Sequence, residues 1–329
     1  MVGISVEEIQ KSKKVFNLER AIYSKGAQAS FFVYRVLNKL DRVTKNSISA
    51  FVRPKKWTYR CWIRYKIKGS TDDQIIAMVG DRCHKLLQMA LGQRIEENAY
   101  FVSTLLREAE SRKIKSRVVN WGKKLHEDYK AGKVYQPTEL SIAESEEVDH
   151  AGLEAFYELT KKRQSIRRFL PKDVPSEVVG KILACALESP SSCNRQSWRF
   201  LVIRDPIKKE YLAKIRNVQF LANTPVIICV LVNSEVYSNN GQGDKRITPI
   251  MDGSAAMTHL VLASAAAGLG SCWTNFAASI SPENMQNFKK YFNLPESMVA
   301  VSLVALGFYD KKFPKPFRDN IDSHVFGEL

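Results

Sequence analysis

The sequence predicts an α+β fold for residues 151–329, preceded by a mostly helical and strongly basic N-terminal domain. From residue 151 onward, apolar residues alternate between helical and strand periodicity, as expected for helices packed around one sheet. Charge is divided unevenly, because the first 125 residues hold 26 Lys and Arg against 11 Asp and Glu, whereas the remainder holds 24 against 23. Nearly all of the net charge of +16 therefore belongs to the first domain, and surfaces this different indicate separate roles.

The basic domain, residues 1–125, is predicted to be helical from its apolar spacing. Between positions 72 and 92 apolar residues recur closer to every 3.6 residues than to every second residue, and residues 98–125 continue in this pattern. Residues 55–66 interleave Lys and Arg with aromatic side chains, which suits an anionic partner such as nucleic acid, a membrane surface or an acidic polysaccharide. A solvated helical domain that packs on the rest of the protein is the alternative.

Residues 126–150 are predicted to be a connector, because Gly132, Pro137 and an acidic run fit a solvated segment. Helices and strands of the α+β domain are expected after it. In order, we expect a helix over 151–163, a helix starting at Pro175, a strand over 199–204, a helix capped by Asp205-Pro206, a strand over 226–232, a buried helix over 254–267, a helix opened by Ser281-Pro282, and a strand over 299–307.

Composition is that of an ordinary globular protein, with 45% hydrophobic and 26% charged residues. No apolar stretch approaches the roughly 20 residues of a transmembrane helix, and charges stand where a signal peptide would be apolar, so we expect a cytoplasmic protein. The six cysteines form no C-x-x-C pair and no zinc-ligand spacing. We therefore expect free thiols in a reducing compartment and no metal site.

Residues 163–169, here called the arginine segment, have the sequence Arg-Gln-Ser-Ile-Arg-Arg-Phe. On a helical turn, Arg163 and Arg167 would lie on one side. Two guanidinium groups with the hydroxyl of Ser165 suit an anionic ligand, because Arg binds phosphate through paired hydrogen bonds. A solvated surface cluster is the simpler alternative.

Residues 189–198, here called the amide loop, have the sequence Ser-Pro-Ser-Ser-Cys-Asn-Arg-Gln-Ser-Trp and lie between an expected helix and an expected strand. Its serines and the amides of Asn194 and Gln196 offer both donors and acceptors, the mixture that a planar heterocycle requires. A simple turn that hydrogen-bonds its own backbone is the alternative.

Two further segments carry weaker signals. Residues 266–275 end the buried helix in small residues and turn through Gly268 and Gly270, where glycine permits positive φ and close approach of a ligand. A helix C-cap explains the same residues. After the last expected strand, residues 307–318 become basic, which is also typical of a solvated tail.

In this order and spacing, these four segments resemble the nitroreductase family of flavoproteins, over about residues 151–329. The most specific part is Ser-Pro-Ser-Ser-x-Asn-x-Gln-x-Trp in the amide loop, and its form with Cys193 and Arg195 is similar to members encoded with polysaccharide-biosynthesis genes. The resemblance implies a nitroreductase-like FMN-binding fold, with a central mixed sheet flanked by helices, and a homodimer with flavin sites at the subunit interface. The helix over 254–267 would then form the dimer core.

The resemblance also implies which residues bind FMN. Carried over by position, they are Arg163, Gln164, Ser165, Arg167, Pro190, Ser191, Ser192, Asn194, Gln196, Trp273, Thr274, Asn275 and Arg318. Arg163, Ser165 and Arg318 would meet the phosphate and ribityl chain, and Arg167 would lie near the pyrimidine edge, where a cation stabilises the charge of the reduced ring. Residues 273–275 would offer backbone near the reactive edge.

The function that the resemblance implies is oxidoreduction, with hydride passing from NAD(P)H through flavin to a small-molecule electron acceptor by a ping-pong scheme. A nitro compound, a quinone or an activated alkene would serve as acceptor. No protein residue is expected to be catalytic, because the flavin carries the chemistry. The alternative is a flavin-binding or scaffold protein with little turnover, whose basic domain binds the anionic partner.

Three positions depart from the family pattern. Gln164 stands where a second basic residue is common, Ser197 where proline is common, and Pro316 where some members have lysine. The segment between the expected strand at 226–232 and the helix at 254–267 is also shorter than in members with extra helices over the substrate. We therefore expect weaker phosphate binding and a narrower activity toward nitroaromatic compounds.

Overall fold

The computed structural model describes residues 60, 63–64, 66–88, 95–133, 148–237, 247–311, 314–316 and 318–325. Most of the cation-aromatic stretch at 55–66 and most of the expected connector lie outside these residues. The chain divides into two compact units, Met1–Pro137 and Thr138–Leu329.

The described part of the first unit contains the helices α1 (Asp72–Gln88), α2 (Ile95–Ser111) and α3 (Arg117–Lys130), and residues 60, 63–64 and 66–68 are also helical. Their shared core includes Phe101 and Leu105, both fully buried. A Cβ added at Gly122 on α3 would lie 2.7 Å from Val79 Cγ1 on α1, so the two helices approach closely there. The described residues are thus helical, as expected, but α3 runs to Lys130, so residues 126–130 belong to a helix rather than to a connector.

The second unit alternates helices and strands along the chain. Its elements are α4 (His150–Lys162), α5 (Ser176–Leu187), β1 (Trp198–Ile203), α6 (Pro206–Arg216), β2 (Val226–Asn233), α7 (Ile247–Ala266), β3 (Gly270–Asn275), α8 (Pro282–Tyr291) and β4 (Met298–Gly307). The side chains of Asp205 and Ser281 accept hydrogen bonds from the first turns of α6 and α8, which explains why these helices begin where the sequence predicts.

The four strands form one sheet in the order β1-β2-β4-β3, and each neighbouring pair is antiparallel. A mixed sheet was expected. Within the described residues, the only parallel pairing is one isolated bridge between Ser165 and Ser271. The central strand β2 is buried on both faces. Its even-numbered residues from Val226 to Val232 pack toward α5 and α7, and its odd-numbered residues pack toward α6 and α8, so the unit has three layers.

Two elements differ from the sequence prediction. Helix α7 begins at Ile247, seven residues before the expected start at 254. The chain was expected to turn through Gly268 and Gly270, but Gly270 is already the first residue of β3, because pairing with β4 and the bridge to Ser165 hold residues 270–275 extended. The expected turn is confined to Gly268, whose φ is +72°. None of the helices in the described part of the chain is long and apolar enough to span a membrane.

Candidate functional site

The arginine segment is extended, so the expected helical turn through Arg163 and Arg167 is wrong. Helix α4 ends before it, and the amide of Ile166 donates a hydrogen bond to the carbonyl of Ser271 at 2.9 Å on the outer edge of β3. Side chains of an extended chain alternate between two sides. One side of the segment therefore carries Arg163, Ser165 and Arg167, because the chain is extended and not because it is helical. Ile166 lies on the other side and is buried.

Lys315 and Arg163 bring the basic tail and the arginine segment together. Nζ of Lys315 donates to the carbonyl of Lys161 at 2.7 Å, at the C-terminus of α4 where Arg163 is the cap residue. Burial and then the positive charges of Arg163, Arg318 and Lys161 lower the pKa of Lys315. These four side chains are here called the cation cluster, in which Lys161 also forms an ion pair with Glu158. An anion bound among them would relieve the repulsion at Lys315.

Of the cation cluster, Arg163 and Arg318 were expected to bind the phosphate, whereas Lys315 was expected only as part of the basic segment 307–318. The structure places Lys315 and the exposed Arg318 in the segment expected to be a solvated tail. Lys315 stands one position before Pro316, the residue that departs from the family pattern. The expectation of weaker phosphate binding stays a prediction.

Cys272 on β3 lies beside the same groups. Burial raises the pKa of its thiol, while the charges of Arg167 and Arg163 and the hydroxyl of Ser165 act in the opposite direction. All three side chains therefore lie within electrostatic or hydrogen-bond range of one buried sulfur. The neighbouring Gln164 is half-buried.

Residues 273–275 form the rest of edge strand β3. Trp273 is 38% exposed. The hydroxyl of Thr274 donates to the carbonyl of Leu303, and its own carbonyl accepts from the hydroxyl of Ser302, so both groups are already engaged within the sheet. Their expected contact with a flavin stays a prediction.

The amide loop has an unusual backbone. Residues Ser192–Asn194 form a short 3-10 turn, and φ is positive at Cys193 (54°), Asn194 (51°) and Gln196 (50°). Left-handed backbone is costly for residues with a Cβ, and three such residues within four positions indicate a conformation imposed by the surrounding structure.

The loop presents its two amides as a pair. Nε2 of Gln196 donates to Oδ1 of Asn194 at 3.1 Å, and the backbone amide of Gln196 donates to the hydroxyl of Ser191 at 3.0 Å. This pairing leaves the Asn194 amide group as a donor and the Gln196 carbonyl as an acceptor. Both side chains are half-buried, like those of Ser191 and Ser192, whereas Pro190 is exposed.

Within one chain, the amide loop and the arginine segment lie at opposite edges of the sheet. The loop leads into β1, the arginine segment flanks β3, and β2 and β4 lie between these strands. Three inter-strand spacings of about 4.8 Å separate the two edge strands by about 14 Å. The structure therefore brings the expected site residues together in two groups and does not bring the groups into one pocket.

Fold and site together define an α+β protein with an anion-attracting cluster at one sheet edge and an amide-bearing loop at the other. The model of the nitroreductase family matches residues 160–219 and 213–308. A relative from Methanothermobacter thermautotrophicus, provisionally named NADH dehydrogenase/NAD(P)H nitroreductase, is 30% identical over 157 residues, which cover 46% of this chain and 75% of the relative. The chain belongs to the nitroreductase family.

Two further similarities are more distant. An iodotyrosine deiodinase from Thermotoga neapolitana is 25% identical over 196 residues, covering 51% of this chain and 96% of that protein. A nitroreductase of Desulfovibrio desulfuricans, also provisionally named and solved in complex with FMN, is 25% identical, with a TM-score of 0.46 over 53% of this chain and 96% of its own.

Proposed function

We propose that this protein is an FMN-dependent oxidoreductase that takes hydride from NAD(P)H and passes it to a small organic acceptor. The observation that carries the proposal is the cation cluster. In this chain, a member of the nitroreductase family, the cluster lies beside Ser165 and Arg167 of the arginine segment, which runs along the edge of β3.

The donor set of the described residues fits FMN in two places. Arg163, Lys315 and Arg318 suit the phosphate, because charge-assisted hydrogen bonds to phosphate oxygens are strong. The Asn194 donor and the Gln196 acceptor match the alternating carbonyl and N–H groups along the edge of the flavin ring. Bound there, FMN would supply the hydride-transfer chemistry, while the protein supplies binding, orientation and charge.

Arg167 has a separate proposed role at the ring. It is exposed on the same side of the arginine segment as Arg163, and its charge is felt at Cys272. A cation in this position would stabilise negative charge on the pyrimidine edge. Residues 273–275, next along β3, would shape the space where donor and acceptor bind in turn, as a ping-pong scheme requires.

A homodimer would complete the site by joining the cation cluster of one protomer to the amide loop of the other. Helix α7 carries exposed Ile247 and Met251, the latter 63% exposed, and α4 carries exposed Leu153 and Phe156. Helix α4 packs against α7 and has no buried residue of its own within the unit. A large apolar surface of this kind favours burial against a second copy.

Comparison of FMN with riboflavin tests the cation cluster without any substitution. Riboflavin has the same ring and ribityl chain but no phosphate, so we expect FMN to bind at least about a hundredfold more tightly, with the difference shrinking as salt rises. Quenching of flavin fluorescence measures both affinities. Equal affinities for FMN and riboflavin would show that the cation cluster does not bind the phosphate.

The acceptor proposed is a nitro compound, a quinone or an activated alkene. The link to polysaccharide-biosynthesis genes stays a prediction from the amide loop alone. It would be supported by reduction of an alkene or carbonyl on a glycan-derived metabolite in preference to a nitroaromatic compound.

For the basic unit, the net charge of +15 over residues 1–125 supports a second proposal, an anionic partner. Retention on immobilised heparin or on an oligonucleotide that collapses as salt rises is the expected result. Retention equal to that of the isolated residues 151–329 would contradict it.

A further inference from the structure

The strained amide loop is held by a buried polar group that belongs to other elements. Asp252 on α7 is 6% exposed and lies 60 residues from the loop in sequence. Its Oδ1 accepts the backbone amide of Ser192 at 3.0 Å, at the start of the short 3-10 turn. This hydrogen bond ties the loop to α7, the longest helix of the described residues.

Tyr237 completes the attachment from the 3-10 turn Ser234–Tyr237, which follows β2. Its hydroxyl donates to Oδ2 of Asp252 at 2.5 Å and lies 2.5 Å from the hydroxyl of Ser197, at the other end of the loop. Burial, followed by the hydrogen bond to Asp252, raises the pKa of Tyr237, so its proton stays in place. Because the tyrosine hydroxyl donates its proton in the hydrogen bond to Asp252, the Ser197 hydroxyl donates to the tyrosine oxygen.

Arg195 closes the network over the turn. Its guanidinium donates to the carbonyl and the hydroxyl of Ser192 at 3.1 and 2.8 Å and lies 5.4 Å from the centre of the Tyr237 ring. Arg195 is 7% exposed, so the network holds a buried cation together with the buried carboxyl group of Asp252. Both ends of the loop are therefore fastened, and the residues with positive φ lie between the fastened points.

We infer that Tyr237 and Asp252 are positioning residues that hold the amide loop in the strained conformation in which Asn194 and Gln196 meet their ligand. Strained backbone persists where the surrounding structure over-determines it, and it concentrates at ligand-binding sites. Released from this clamp, Cys193, Asn194 and Gln196 would relax toward negative φ, and the amide pair would lose its orientation. The identity of the ligand as FMN rests on the proposed function.

The experiment compares Tyr237→Phe with Tyr211→Phe in the full-length protein. Both substitutions remove one phenolic oxygen, but the Tyr211 hydroxyl on α6 is buried with no hydrogen-bond partner and is not part of the loop network. Hydrogen exchange of the peptide that spans residues 189–198, melting temperature and FMN affinity are measured for each. Asp252→Asn, which keeps one acceptor oxygen, and Asp252→Ala give a graded second series.

In Tyr237→Phe we expect exchange in the loop peptide to rise about tenfold and FMN affinity to fall about tenfold, since one charge-assisted hydrogen bond is lost. Tyr211→Phe should change neither, whatever its melting temperature. Asp252→Ala should raise loop exchange and lower FMN affinity more than Asp252→Asn does. Loop exchange in Tyr237→Phe and Asp252→Ala that stays at the wild-type rate would overturn the inference.

Hydrogen exchange needs no ligand, so it separates this inference from the proposed function. A wild-type protein that binds no FMN but whose loop exchange rises in Tyr237→Phe refutes the flavin proposal and supports the clamp. Tight FMN binding with unchanged affinity in every variant supports the flavin proposal and refutes the positioning role.

Discussion

Ser165 and Ser271 pair in an isolated parallel bridge on the free edge of β3, and the Ile166 amide donates to the Ser271 carbonyl at 2.9 Å. This one attachment converts the arginine segment from an expected helical turn into an extended chain. It also sets which of its side chains face together, since residues 163, 165 and 167 then share one side. The proposed ligand-facing side of the arginine segment follows from this bridge, whereas Lys315 joins the cation cluster through the carbonyl of Lys161.

Arg163→Ala should weaken FMN binding by about 10- to 100-fold, because a hydrogen bond to a charged group contributes about 1.5–3 kcal/mol. The matched control is Arg168→Ala, which removes the same charge from the opposite side of the segment and should leave affinity nearly unchanged. Fluorescence titration measures both variants. Similar losses in the two would show that only net charge matters.

Gly270→Ala should push the arginine segment away from β3. A Cβ at this position would lie 2.8 Å from Tyr309 Cδ1 and 2.9 Å from Ile166 Cβ. We expect the free energy of unfolding to fall by about 1–3 kcal/mol, as in other overpacked cores, and FMN affinity to fall with it. Gly180→Ala on α5 meets nothing within 4 Å and should stabilise the protein slightly, so losses of equal size would contradict the packing argument.

Met251→Asp should dissociate the proposed homodimer, because a carboxylate would be buried without a partner at the interface. The control is Ile207→Asp on α6, where the native side chain is 74% exposed and outside the proposed interface. Sedimentation should give a monomer for Met251→Asp only, and that monomer should lose FMN. A monomer that keeps FMN would mean that one chain holds the whole site.

Stability of the helical unit should fall as pH drops through about 6.5, the ordinary histidine value. Burial and then the charge of Lys130 lower the pKa of His126, so below 6.5 the unfolded chain binds a proton that the folded chain does not take up until lower pH. The free energy of unfolding therefore decreases with decreasing pH in that window. His126→Gln should flatten the dependence; an unchanged slope in this variant would show that another group is responsible.

The sequence predicted elements whose signals are local. The caps Asp205 and Ser281 and the apolar run of β2 are legible within a few residues, and each was placed within two residues of its observed bounds. Strand β3 was missed because its six residues are mostly small or polar, and pairing with β4 and Ser165 makes it a strand. Tertiary contacts of this kind leave no local pattern.

The candidate site divides in the same way. Residues clustered in short motifs, such as Arg163, Ser165 and Asn194, could be singled out from the sequence and a family resemblance. Lys315, Tyr237 and Asp252 could not, because what makes each of them relevant is a contact with a residue 15 to 154 positions away. A lone acidic residue in an apolar helix was the one available signal for Asp252.

The most direct test of the central claim is the visible spectrum of the purified protein, followed by anaerobic addition of NADH and then NADPH. The account predicts a yellow protein with oxidised flavin bands that bleach on addition of at least one of the two donors. A protein that is colourless and takes up no added FMN would contradict it, and flavin bands unchanged by both donors would contradict the reductase function while leaving flavin binding intact.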